Sequence, residues 1–195
     1  DDNYKGIFPY DEEGRFDYTI YKDKGKTLVE QTSIEQYTED YYTIAAKSQQ
    51  ESIMEPFFYS YTDDTTNLFF ETSIVVPVIE NGITQGVMGV DIDLKELSKI
   101  IGNITIFESG YGILVSNQGL IAAYKDEKLL EKKISENFDF IDENLTKLIS
   151  AGEAESKIIY SRQFKDDLFV SLLPIQIGNS KTPWSLCVIV PKNEA

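Results

Sequence analysis

Histidine is absent from all 195 residues, which removes the commonest side chain for proton transfer and metal ligation near neutral pH. A single cysteine, Cys187, excludes an internal disulfide and a thiolate zinc site. It lies in the apolar run WSLCVIV, where a small buried thiol fits better than a nucleophile with no histidine to activate it. Basic residues are scarce: 18 lysines and arginines stand against 33 aspartates and glutamates, a net charge of −15. Nucleic acid and anionic membrane surfaces would both repel such a chain, whereas cationic or zwitterionic partners suit it. The excess is concentrated in residues 1–105, which carry 20 acidic and 8 basic side chains. No apolar run approaches the ~20 residues needed to cross a bilayer, and the opening DDNYKGIFPY lacks the basic and apolar regions of a signal peptide. The chain reads as a soluble protein or as the soluble part of a longer one. The sequons at 103–105 and 144–146 would matter only in a glycosylating secretory pathway.

What is present is enough for a core, since 42% of the residues are hydrophobic. Alternating aromatic and polar residues around KDKGK predict a hairpin in GRFDYTIYKDKGKTLVEQ. A helix is expected in YTEDYYTIAAKSQQESI, with Thr38 as its N-cap. Strands follow in EPFFYSYT, LFFETSIVVPVIE and ITQGVMGVDI, the last two joined at Asn81-Gly82, a pair suited to the positive φ angles of a type I′ turn. LKELSKIIG carries a helical apolar stripe, with Gly102 placed to end it. The pattern then starts afresh, with strands in YGILVS and LIAAY, helical stretches in DEKLLEKKI and IDENLTKLISAG, and three closing strands. The expected fold is α+β: two modules of like element order, each an antiparallel sheet flanked by helices, meeting near residues 102–108.

On the strand 86–93, Val87, Gly89, Asp91 and Asp93 share one face. Asp93 directly precedes the helical stripe, with Glu96 three residues on, and so is expected to cap that helix. Asp91 has no such local task. A carboxylate inside an apolar hairpin needs a lysine or arginine, backbone N–H groups, or a cation from outside. Gly86 and Gly89 favour the outside cation, because glycine within a strand often marks a close approach. A run of aromatics, including Tyr41, Tyr42, Phe57 and Tyr59, offers ring faces for a cationic nitrogen, although each ring singly also suits core packing. A calcium site at Asp63, Asp64 and Asn67 lacks the ligand number of a dedicated loop, so no metal is expected there.

The ordered set EDYYTIA, IMEPFFY, TSIVVPVIENGITQGVMGVDIDL and GYGILVSNQG resembles the double Cache family, the tandem PAS-like extracellular sensor regions of chemoreceptors, histidine kinases and cyclases. The similarity runs from about Gly14 to the C-terminus. It implies a membrane-distal, ligand-binding module over residues 1–104, incomplete at its start, and a membrane-proximal module over 105–195. It also implies an extracytoplasmic location, a parent receptor in chemotaxis or two-component signalling that is a membrane homodimer, and no cofactor or catalytic residue. The ligand would be held by Asp91, Tyr41, Tyr42, Tyr59, Phe57 and Gly89. Family members that bind amino acids place an arginine two residues before the aromatic pair. Here that position is Glu39, so a small amine or quaternary ammonium fits better than an α-amino acid. The stalk helix that opens family members has no counterpart ahead of DDNYKGIF. A hydrolase using Asp91 and Asp93, whose separation could meet the roughly 5–9.5 Å of glycosidase acids, and a non-signalling surface domain are the competing readings.

Overall fold

The structure is a computed structural model of the whole chain and describes all residues except 1, 2, 4, 8, 24, 32–33 and 62–67. The calcium site weighed at Asp63, Asp64 and Asn67 therefore lies outside the described residues. Two compact units are present, Asp1–Ile44 and Ala45–Ala195.

In the first unit, β1 (Tyr18–Asp23) pairs antiparallel with β2 (Lys26–Gln31), and Gly25 takes a positive φ of 78° in the turn, as the sequence predicts. A 3-10 turn (Ile34–Thr38) precedes α1 (Asp40–Ser48), whose last residues belong to the second unit. Thr38 is not the N-cap of α1. Its hydroxyl donates to the carbonyl of Glu35 at 2.7 Å and so closes the 3-10 turn, while the carbonyl of Glu39 accepts from Tyr42 and Thr43. The short turn intervenes because Thr38 finds a nearer partner behind it than ahead of it.

The second unit holds two antiparallel sheets. In the first sheet, β5 (Phe69–Glu80) pairs along one edge with β6 (Ile83–Asp93) and along the other with β3 (Ser52–Ile53) and β4 (Phe57–Tyr59). Asn81 and Gly82 turn β5 into β6 with φ of 51° and 76°, the geometry expected of this pair. α2 (Leu94–Gly102) follows without a loop and packs on β5 and on the second sheet's first two strands. Those strands are β7 (Tyr111–Val115) and β8 (Ile121–Ala123). The region 126–134, expected to be helical, is a 3-10 turn at Glu127–Leu129 and the start of a single turn, α3 (Ile134–Asn137); Glu131, at φ 64°, breaks the run between them. α4 (Glu143–Ala151) ends at Gly152 in the left-handed conformation, as predicted. β9 (Glu155–Ser161), β10 (Asp166–Ile175) and β11 (Trp184–Pro191) complete the sheet in the order β8-β7-β11-β10-β9.

Gly102 is the last helical residue of α2 and not a left-handed cap, since Asn103 ends the helix with φ −91°. Its small size serves packing instead: a Cβ there would meet Cα of Lys125 at 3.3 Å. One apolar cluster joins Ile53, Phe70 and Leu94 of the first sheet and α2 to Ile113, Leu172, Trp184 and Ile189 of the second sheet. Cys187 is fully buried in it, and burial pushes its thiol up to about 12, which leaves it an inert core side chain.

Candidate functional site

Cross-strand partners in an antiparallel sheet point to the same face. Phe57 pairs with Glu71 and Glu71 with Asp93; Tyr59 pairs with Phe69, and Ser73 with Asp91. Three carboxylates, one hydroxyl and three aromatic rings therefore project from one face of the first sheet.

Asp91 is exposed, not buried, which corrects the expectation of a lone acid inside an apolar sheet. The strand that carries it is open on both faces, with Met88 69% and Val90 57% exposed opposite it. Its two oxygens are held from within the site: the Ser73 hydroxyl donates to Oδ1 at 2.6 Å, and the Tyr61 hydroxyl lies 3.2 Å from Oδ2. Among the described residues no lysine or arginine forms an ion pair with it.

The buried acid of this face is Glu71, only 4% exposed. Tyr61 also reaches both of its oxygens, at 3.1 and 3.0 Å. Burial, with the negative charges of Asp91 and Asp93 behind it, pushes the Glu71 carboxyl up to about 7 against the opposing pull of the Tyr61 hydrogen bond. The same burial, and the same two acids, Asp91 and Glu71, raise the Tyr61 phenol well above its ordinary range, so it stays protonated. Glu71 was missed in the sequence reading. Its signal was present: a charged residue in the otherwise apolar FFETSIVV, two positions from Ser73 and hence on the same face.

Aromatic rings border these acids. Tyr59 stacks edge-on against Tyr61 at 4.9 Å, Tyr61 against Phe69 at 5.4 Å, and Phe57 against Tyr59 at 6.4 Å. Tyr59 and Phe69 are each 40% exposed, so their faces are available to a visitor. Gly89 has an internal reason for its size, because a Cβ there would meet Val75 Cγ1 at 3.3 Å on the paired strand. Gly86 has no such neighbour. Asp93 is the N-cap of α2, its Oδ1 accepting from the Lys95 N–H at 2.8 Å; Glu96 does not reach back to complete a capping box but pairs with Lys99. That commitment leaves Asp93 badly placed for acid–base work beside Asp91.

Tyr41 and Tyr42 belong to the first unit and both are half-buried. The Tyr42 ring lies 4.7 Å from that of Tyr37, whose hydroxyl donates to the Phe16 carbonyl. Burial, and then the charge of Asp17, raises the Tyr42 phenol above its usual range. Among the described residues no three potential ligating side chains converge to hold a metal.

The family described as a Cache domain matches residues 2–195. The chain is 31% identical over 159 residues to the methyl-accepting chemotaxis protein TlpQ of Pseudomonas aeruginosa, an alignment covering 78% of this chain and 21% of that protein. It spans about a fifth of the length of the curated relatives it matches. The extracellular domain of the candidate histidine kinase mmHK1S-Z2 superposes with a TM-score of 0.79 at 24% identity, covering 99% of this chain and 70% of that one. The ligand-binding domain of the Pseudomonas aeruginosa amino acid chemoreceptor PctB, solved in complex with L-Arg, superposes with a TM-score of 0.62 at 22% identity, covering 90% and 70% of the two chains.

Proposed function

Because this chain belongs to the Cache domain family, we propose that it is the extracytoplasmic ligand-sensing part of a transmembrane signalling receptor, a chemoreceptor or a histidine kinase. Its distal module, residues 1–104, recognises a small molecule that carries a positive nitrogen, and residues 105–195 form the proximal module. The observation that carries this reading is Asp91: a carboxylate oriented by Ser73 and Tyr61, beside a second acid and open rings, without a cation of its own chain among the described residues.

An arriving ammonium would donate to Asp91 while the face of Tyr59 attracts its charge. Glu71 sits behind Asp91 and adds negative potential without needing to touch the ligand. With Glu39 in place of a carboxylate-pairing arginine, the acid-rich face favours an amine or quaternary ammonium over a simple α-amino acid. L-Arg, bound by PctB, also carries a cationic side chain. The parent receptor is assigned to a membrane homodimer. Signal transfer needs only that the ligand bind one arrangement of the protein better than another. The short path is Asp91 to Asp93, the cap of α2, and from α2 to β7 and β8.

Calorimetry with putrescine, choline and L-arginine, on wild type and Asp91→Ala, tests this reading. One of the cations should bind wild type and lose roughly 10- to 100-fold in affinity in the variant, the cost of removing a charge-assisted hydrogen bond. Equal affinity in both proteins would remove Asp91 from the site.

A further inference from the structure

Nearer the turn end of the β5–β6 hairpin, away from Asp91, lies a cleft of about 430 Å³ whose walls come from segments far apart in sequence. This volume falls within the roughly 300–1,000 Å³ of small-molecule sites. One wall is Val76, Pro77 and Ile79 of β5 with Glu51; the other is Asn179 and Lys181, from the loop joining β10 to β11.

The two walls are fixed to each other through Glu51. Its Oε2 accepts from the Asn179 backbone N–H at 2.7 Å and its Oε1 from the Asn179 side-chain amide at 3.2 Å. Gly178, at φ 52°, leaves no room for a Cβ against the same carboxylate, which is how the loop comes so close. Gln176 braces the loop from inside by donating to the carbonyls of Ser180 and Gly178. On the opposite wall, Gln49 at φ 54° donates to the carbonyl of Gly82 and ties the segment before Glu51 to the hairpin turn.

The lining has three chemically distinct parts. Glu51 presents a carboxylate whose position is set before any ligand arrives. Lys181 is exposed and, among the described residues, its ammonium forms no ion pair. It stands two residues past Asn179 and lines the same cleft as Glu51, so the two charges border one space. Val76 and Ile79 supply an apolar shelf, 41% and 44% exposed. In a protein of net charge −15, a free ammonium beside a fixed carboxylate and an apolar shelf selects for a ligand with both charges.

We propose that this cleft is a second binding site, for a small zwitterion with an apolar side chain, its ammonium on Glu51, its carboxylate on Lys181 and its side chain on Val76 and Ile79. A hydrophobic amino acid and a short hydrophobic peptide share this chemistry. Such a ligand bridges β5 of the first sheet and the β10–β11 loop of the second, so its occupancy strengthens the connection between the sheets independently of Asp91.

The test is amide chemical-shift mapping on the ¹⁵N-labelled chain, titrated separately with L-leucine and with glycyl-L-leucine. Saturable shifts at the amides of Asn179, Lys181 and Ile79 are expected with at least one of them, and the better of the two arms identifies the source. Lys181→Ala, an exposed change that leaves the fold intact, should weaken that binding about five- to tenfold, and Asp91→Ala should leave it unchanged. Absence of saturable shifts at these amides with both zwitterions overturns the proposal, as does equal affinity in Lys181→Ala. Loss of the shifts in Asp91→Ala would instead place the zwitterion at the first site.

Discussion

Tyr61 has one hydroxyl proton and three carboxylate oxygens within 3.2 Å, two from Glu71 and one from Asp91. Burial outweighs the share of that hydrogen bond which reaches Glu71, and the charges of Asp91 and Asp93 add to it, so Glu71 holds a proton of its own more tightly than an exposed glutamate would. The consequence for stability has a definite sign. Glu71 titrates near 7 in the folded protein, against an ordinary 4.5, so between those values the folded state binds more protons than the unfolded one. Stability therefore falls as pH rises through this window, by up to about 3 kcal/mol for the full shift. Glu71→Gln keeps a partner for Tyr61 but removes the charge. Urea denaturation from pH 5 to 8 should show a flatter pH dependence in this variant and greater stability than wild type at pH 8. An unchanged slope would mean that Glu71 ionises normally. Burial of one acid also sharpens the role of the other: Asp91 stays at the surface, where a ligand can reach it without the sheet opening.

At the scale of the element, α2 links the recognition face to the rest of its unit. It begins at the residue after Asp93 and buries Leu94, which belongs to the same apolar cluster as the second sheet. Its first free N–H groups are served by one side chain, with Asp93 accepting from Lys95. Removing that acceptor in Asp93→Ala should cost about 1 kcal/mol, the usual worth of an Asp N-cap, read from the urea midpoint at constant slope. If ligand binding at Asp91 is transmitted through this helix, the same variant should lose less affinity for its cation than Asp91→Ala does, because Oδ1 of Asp93 is committed to the Lys95 N–H. The contrast with α4 is instructive. There Asp142 accepts from Leu145 at 2.8 Å and from Lys157 at 2.9 Å, which holds its carboxyl below the usual range and ties the helix to β9.

At the scale of the molecule, the two sheets of the second unit are joined by polar clamps as well as by their common apolar cluster. Glu51 receives the β10–β11 loop, and Glu55 receives the turn between β7 and β8. Glu55 accepts from the Gln118 backbone N–H at 3.2 Å and from the hydroxyl of Ser116, a residue with no exposed surface. Losing this carboxylate strands a buried hydroxyl, so Glu55→Ala should cost about 1–3 kcal/mol. The shared cluster predicts that the loss appears as one shifted cooperative transition. Two separated transitions would show that the sheets unfold independently. The first unit, Asp1–Ile44, has its own local order: Arg15 pairs with Asp11 at 3.0 Å, and its guanidinium lies 5.8 Å above the Tyr37 ring.

Local chemistry determined much of this protein from sequence alone. The Asn81-Gly82 turn, the Gly152 helix end, the Asp93 cap and the core position of Cys187 each follow from a residue and its near neighbours. The ordered motifs also carried the family. Where local signals competed, the reading failed: Thr38 closed the turn behind it, Glu131 interrupted an expected helix, and Gly102 served packing against Lys125. Only the tertiary structure decided which acid is buried. Glu71 and Asp91 both look like charged residues in apolar strands, and 20 positions separate them. The burial of each depends on what lies above its face, including Tyr61 from another segment, and the solvation of a charge is set by all the atoms around it rather than by its neighbours along the chain.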